Sequence, residues 1–173
     1  MQNWYMLTII GEDEPGIVAR ITQALFDANC HLGEASMIRL GCNFTIMLML
    51  STDSDRQSLE DVLYPACDSM NLRFHLDEIE GKLHEHHIPD VHITVSGADR
   101  SGIVSQVTGA LFNAGLDILD LASDVAGTKE NPIYIMQIEG IANQGIEKLH
   151  NAMTPLHSND IDVQISSIDT IVG

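Results

Sequence analysis

Apolar positions along this chain alternate between two rhythms, and the order of the rhythms recurs. Residues 4–10 form a short apolar run suited to a central strand. Beyond a polar turn, Ile17, Ile21, Ala24, Leu25 and Ala28 recur at helical spacing, which predicts a helix from near Gly16. Two strands are expected next, over residues 32–40 and 43–51, joined by the tight Gly41-Cys42 turn. Leu59, Val62, Leu63, Ala66 and Met70 mark a second helix, and alternating Leu72, Phe74 and Leu76 mark a closing strand. The second half follows the same order. A strand over residues 91–96 precedes a helix carrying Ile103, Val107, Ala110, Leu111 and Ala114. Strands over 117–126 and 133–141 flank a longer loop, and a helix carrying Ile146, Leu149, Met153 and Leu156 follows. Ile161, Val163 and Ile165 alternate at the close.

Shifting the chain by 86 residues superimposes residues 11–32 on 97–118 with ten identities in 22 positions, among them Asp13/Asp99, Gly16/Gly102, Thr22/Thr108 and Phe26/Phe112. The chain is therefore a duplication, βαββαβ twice. Asn29 and Gly115 stand where each first helix ends and a left-handed residue is favoured. Right-handed crossovers interleaved in this order give the α+β class: two ferredoxin-like domains, each an antiparallel four-stranded sheet with both helices on one face. The expected division is residues 1–81, a linker over 82–89, and residues 90–173. Residues 44–50 are apolar on both faces of their strand, so the side away from the helices is expected to be covered by the other copy or a second chain, a possible homo-oligomer.

Composition narrows the function. Eight Lys+Arg against 25 Asp+Glu leave a net charge of −17. Phosphate backbones and anionic membranes are gripped through clustered cations, so direct nucleic-acid and membrane binding are both disfavoured. The excess is even, −9 over residues 1–81 and −8 over 82–173, which leaves no concealed basic arm. No apolar run approaches membrane-spanning length, and the first residues lack a signal peptide's pattern, so a cytoplasmic location is expected. Cys30, Cys42 and Cys67, odd in number and without CxxC spacing, read as reduced, buried thiols.

The turn from first strand to first helix, Gly11-Glu12-Asp13-Glu14-Pro15-Gly16-Ile17, is the richest place for chemistry. Pro15 suits the first helical position, and Gly11 and Gly16 allow close backbone approach. The helix beyond offers unpaired amides and a positive dipole end to a carboxylate, while Asp13 could take an ammonium group. A plainer reading has Asp13 and Asp99 capping their own helices, and spacing alone favours it.

D-E-P-G-I-V and D-R-S-G-I-V, each between an apolar strand and an amphipathic helix, resemble the ACT domain, a family of small regulatory modules that typically bind amino acids. The likeness covers residues 3–80 and 90–170, and the tandem is most similar to the glycine cleavage system transcriptional repressor group. It implies a ligand held between the first turn of one copy and the start of the second strand of another. Here that means Asp13, Pro15, Gly16 and Ile17, then Asp99, Gly102 and Ile103. At the second strand's start, where several members carry Asn, this chain has His31 and Asp117. Copy two also replaces Pro with Ser101 and brings Arg100, a possible partner for a ligand carboxylate.

His84, Glu85, His86 and His87, with His92 nearby, could in principle hold zinc, nickel or copper. They lie in a linker without the spacing of a structural site, so a solvated linker is expected and no metal or cofactor is assigned. No G-x-S-x-G, HExxH or phosphate-binding glycine loop occurs. The expected protein is thus not an enzyme. The resemblance implies that it senses a small molecule such as glycine or serine and controls transcription through contact with a DNA-binding regulator. The rival from another class is a structural interaction module with vestigial ligand sites.

Overall fold

The computed structural model describes residues 2–81, 87–98, 101–157 and 161–168. The chain divides into two compact units, Met1–His84 and Glu85–Gly173. In unit 1, β1 (Asn3–Glu12), α1 (Ile17–Asp27), β2 (His31–Leu40), β3 (Asn43–Thr52), α2 (Arg56–Asp68) and β4 (Arg73–Ile79) follow one another. They form an antiparallel sheet of order β2-β3-β1-β4. Unit 2 repeats this with β5 (Val91–Ala98), α3 (Ile103–Asn113), β6 (Leu116–Gly127), β7 (Pro132–Ala142), α4 (Ile146–His157) and β8 (Ile161–Ser167), in the order β6-β7-β5-β8. Both units have the expected split βαββαβ architecture.

Period-two burial along β1 puts Tyr5, Leu7 and Ile9 in the core, where they meet Ile17, Ile21 and Leu25 from α1 and Leu59, Leu63 and Cys67 from α2. Unit 2 builds an equivalent core from Ile93, Val95, Val107, Leu111, Met136 and Leu149, among others. Completely burying one such aliphatic side chain contributes about 1.5–3 kcal/mol, so these stripes place the helices on the sheet. The helix ends behave as their sequences suggest: Asn29 (φ 54°) and Gly115 (φ 88°) are left-handed. Asp55 caps α2 by accepting a 2.9 Å bond from the Ser58 amide.

Three local readings need correction. Pro15 is not the first helical residue; it lies one place ahead of Gly16, which takes φ 93° and itself stands at the N-cap. A left-handed residue must end the turn, so the chain spends glycine there. Both second strands are bulged, between Leu32 and Ala35 and between Ile118 and Asp120; Gly33, a glycine inside a strand, marks the first, and Leu119 gives the second no such mark. Cys30 and Cys67 are buried, but Cys42 is exposed in the β2–β3 turn.

Burial also pushes the Cys67 thiol up to about 11 and raises that of Cys30. Since the thiolate is the reactive form, a chromogenic disulfide reagent at mildly alkaline pH should count one reactive thiol in the native chain and three after denaturation. A Cys42→Ser chain should count none before denaturation.

Candidate functional site

Because β1 and β2 both pair antiparallel with β3, they run parallel, and the end of β2 reaches the turn after β1. Phe44 lies opposite Gly11 on one side and opposite Arg39 on the other. That register brings Arg39 Nη2 to 3.0 Å from Asp13 Oδ2. The Asp13 amide donates to the Cys42 carbonyl at 2.9 Å, which pins the turn against the β2–β3 connection. Asp13 therefore does not cap α1: no side chain caps that helix.

Between this ion pair and the mouth of α1 lies an open cleft of about 340 Å³, bounded by Asp13, Pro15, Gly16, Met37, Arg39 and Phe44 together with the first residues of α1. The size lies within the range of small-molecule sites. Phe44, 2% exposed, forms its apolar floor. The first intrahelical bond runs from the Arg20 amide to the Gly16 carbonyl, so the amides of Ile17, Val18 and Ala19 have no upstream helical acceptor. These donors sit at the positive end of the helix dipole. The cleft thus sets cationic and dipolar donors (Arg39, α1 amides) beside a carboxylate (Asp13). With side chains 62% and 25% exposed, the Arg39–Asp13 pair holds by at most about 1 kcal/mol and is readily exchanged for other partners.

Unit 2 has the same backbone and different chemistry. Gly102 takes φ 89° at the N-cap of α3, again without a side-chain cap. Val125, opposite Tyr134, occupies the place that Arg39 holds opposite Phe44. Ser123 likewise replaces Met37, the two lying opposite Met136 and Ile46. Asp99 and Arg100 lie outside the described residues.

The residues singled out from sequence fall into two groups. Asp13, Pro15, Gly16 and Ile17 are brought together at the cleft, and Gly102 and Ile103 share the corresponding turn in unit 2. His31 and Asp117 are not with them. Each is exposed at the start of its strand, His31 opposite Ser51 and Asp117 opposite Ile141, and at the far end from the turn of its own unit. Arg39 lies eight positions along the strand from His31, roughly 26 Å. Arg39, Met37 and Phe44 were missed. The signal was available in the topology: in βαββαβ order the second strand must end beside the first turn, and Arg39 is the one cation on β2.

His84, Glu85 and His86 lie outside the described residues. Among the described residues, no group of His, Cys, Asp and Glu could hold a metal ion, and no helix is long and apolar enough to cross a membrane.

No curated protein matches the sequence. Among solved structures, an unknown protein from Galdieria sulphuraria superimposes with a TM-score of 0.77 at 18% identity, covering 98% of this chain and 100% of the other. The crystal structure of a putative glycine cleavage system transcriptional repressor superimposes with a TM-score of 0.71 at 16% identity, covering 98% and 99%. At such identities the likeness shows a shared fold. The ACT domain model matches twice, over residues 5–77 and 90–166. With both repeats matched and both carrying the glycine-capped turn after their first strand, the chain belongs to the ACT domain family.

Proposed function

We propose that this protein is a non-enzymatic regulator that binds a small amino acid in the cleft of unit 1 and passes the bound state to a protein partner. The observation that carries the reading is the uncapped mouth of α1 beside the Arg39–Asp13 pair. A free amino acid carries one carboxylate and one ammonium group. The α1 amides and Arg39 would take the first, and Asp13 the second. Each charge-assisted hydrogen bond contributes roughly 1.5–3 kcal/mol net. Two or three of them, less the cost of association, give micromolar to millimolar affinity, the range of a metabolite sensor. Glycine and serine are the effectors proposed, their short side chains leaving the Pro15, Met37 and Phe44 lining uncovered.

Unit 2 supports the reading less. With Val125 in place of Arg39, it would depend on Arg100 for its cation. The chain's charge of −17 leaves DNA contact to a partner, so the output proposed is control of a DNA-binding transcription regulator in the cytoplasm. The ACT domain match and the fold shared with a putative repressor are the support for that output.

A thermal-shift series over the twenty amino acids tests the proposal, because any native-state ligand raises the melting temperature by mass action. Glycine, serine or a close analogue should raise it in proportion to the logarithm of concentration. No shift with any amino acid at millimolar concentration would leave the scaffold reading standing.

A further inference from the structure

Where the chain turns from α2 into β4 it leaves a second cleft, of about 220 Å³, lined by Tyr64, Cys67, Asp68, Leu72, Arg73 and Phe74. The cleft lies within unit 1 and shares no lining residue with the one at α1. Helical spacing sets Tyr64 and Asp68 one turn apart on α2, and Phe74 rises beside them from β4. The Tyr64 and Phe74 rings meet edge to face, with centroids 5.0 Å apart and planes at 70°, and make a two-walled corner. Cys67 and Leu72, both buried, close its bottom.

The corner is negative. Among the described residues the Asp68 carboxylate takes no hydrogen bond or ion pair; only its backbone carbonyl is used, by the Asn71 amide at 3.0 Å. Because α2 ends at Asp68, the negative end of the helix dipole falls there too. Arg73 does not offset this. Phe74 stands opposite buried Ile9 and Arg73 opposite exposed Ile10, so the guanidinium leaves β4 on the face away from α2. The fold does not demand these groups. Pro65 and Pro155 align α2 with α4, and the partners Ile9 and Val95 align β4 with β8. The six lining positions then become Thr154, His157, Ser158, Ile161, Asp162 and Val163. Neither benzene ring nor the Asp68 carboxylate has a counterpart in unit 2.

We infer that the corner between α2 and β4 is a second small-molecule site, which takes an organic ammonium ion: the cation rests against the Tyr64 and Phe74 rings and pairs with Asp68. Aromatic faces carry the negative part of the ring quadrupole, and their attraction for a cation persists at exposed sites. An engineered apolar cavity of ~150 Å³ takes benzene. A cleft of about 220 Å³ accommodates a methylated ammonium headgroup with a short organic tail. The site goes beyond the amino-acid reading of the α1 cleft and does not rest on it, so the two can fail separately.

The probe is benzyltrimethylammonium, titrated into the full chain alongside phenylacetate, which carries a ring and the opposite charge, and benzyl alcohol, which carries a ring and none. The expected result is saturable millimolar binding of the cation, with NMR shifts of the Tyr64 and Phe74 ring signals, and binding of the other two at least about threefold weaker. Tyr64→Thr and Asp68→Ser install unit 2's residues at exposed positions. Each should weaken binding of the cation by about threefold or more with unchanged melting, whereas Tyr64→Phe, which keeps the ring, should retain it. Should either variant melt early, Asp68→Asn, which keeps the shape and removes the charge, decides in its place. No saturable binding, binding of phenylacetate or benzyl alcohol as tight as that of the cation, or undiminished binding by the variants would overturn the inference.

Discussion

Gly16→Val is expected to abolish the amino-acid response of unit 1 while leaving the protein folded. At φ 93° a β-branched residue is strained, which costs about 2 kcal/mol. An added Cβ would meet nothing within 4 Å, so the cost is conformational and not a clash. The chain escapes the strain by rotating the turn, and the α1 amides then no longer face the cleft together. Losing one charge-assisted bond of roughly 1.5–3 kcal/mol weakens binding by about tenfold or more. Titration calorimetry on Gly16→Val, with Gly102→Val alongside, checks this. The first should lose most of the heat of binding and the second little, given that Val125 stands in place of Arg39 in unit 2. Equal losses would make the two sites equivalent, and no loss in either would remove the turns from the binding account.

Phe44→Ala should have the largest effect on stability. The ring is 2% exposed, sits between Gly11 and Arg39 in the sheet, and floors the cleft. Removing a buried phenylalanine costs about 3–5 kcal/mol, because the lost transfer energy adds to that of the cavity. Urea denaturation followed by Trp4 reports on unit 1, since the chain's single tryptophan lies in β1. At a slope of about 1–3 kcal/mol per molar, its midpoint should fall by more than about 1 M. Phe44→Leu, closer in volume, should keep most of the stability. A small effect of Phe44→Ala would mean that the β1–β3 end of the core collapses around the gap.

The architecture could be read from the chain because its signals reinforce one another. The 86-residue duplication, the switch from period two to helical spacing, and left-handed Asn29 and Gly115 all agree on βαββαβ. The bulge after Leu32 had its signal in Gly33, a glycine inside a strand, whereas the bulge after Ile118 holds only Leu119 and leaves no mark in composition. Of the site, the turn was legible and its partner was not. Asp13 looked like a cap in one dimension; in three, Arg39 takes its carboxylate from 26 positions away, and only strand order reveals that meeting. His31 and Asp117 entered through family likeness, and within its own unit each lies at the opposite end of the sheet from the turn. The apolar character of residues 44–50 on both faces was visible in sequence, but that Met47 and Met49 stand opposite Thr8 and Met6 required the sheet register.

The central claim is that a metabolite carboxylate sits on the first-turn amides of α1. Backbone amide NMR of the full chain during titration with the amino acid that stabilises it most addresses this directly. The largest shifts should fall on Ile17, Val18 and Ala19, with the Arg39 side chain following at the same concentration. Shifts confined to other residues, or none at saturating ligand, would contradict it.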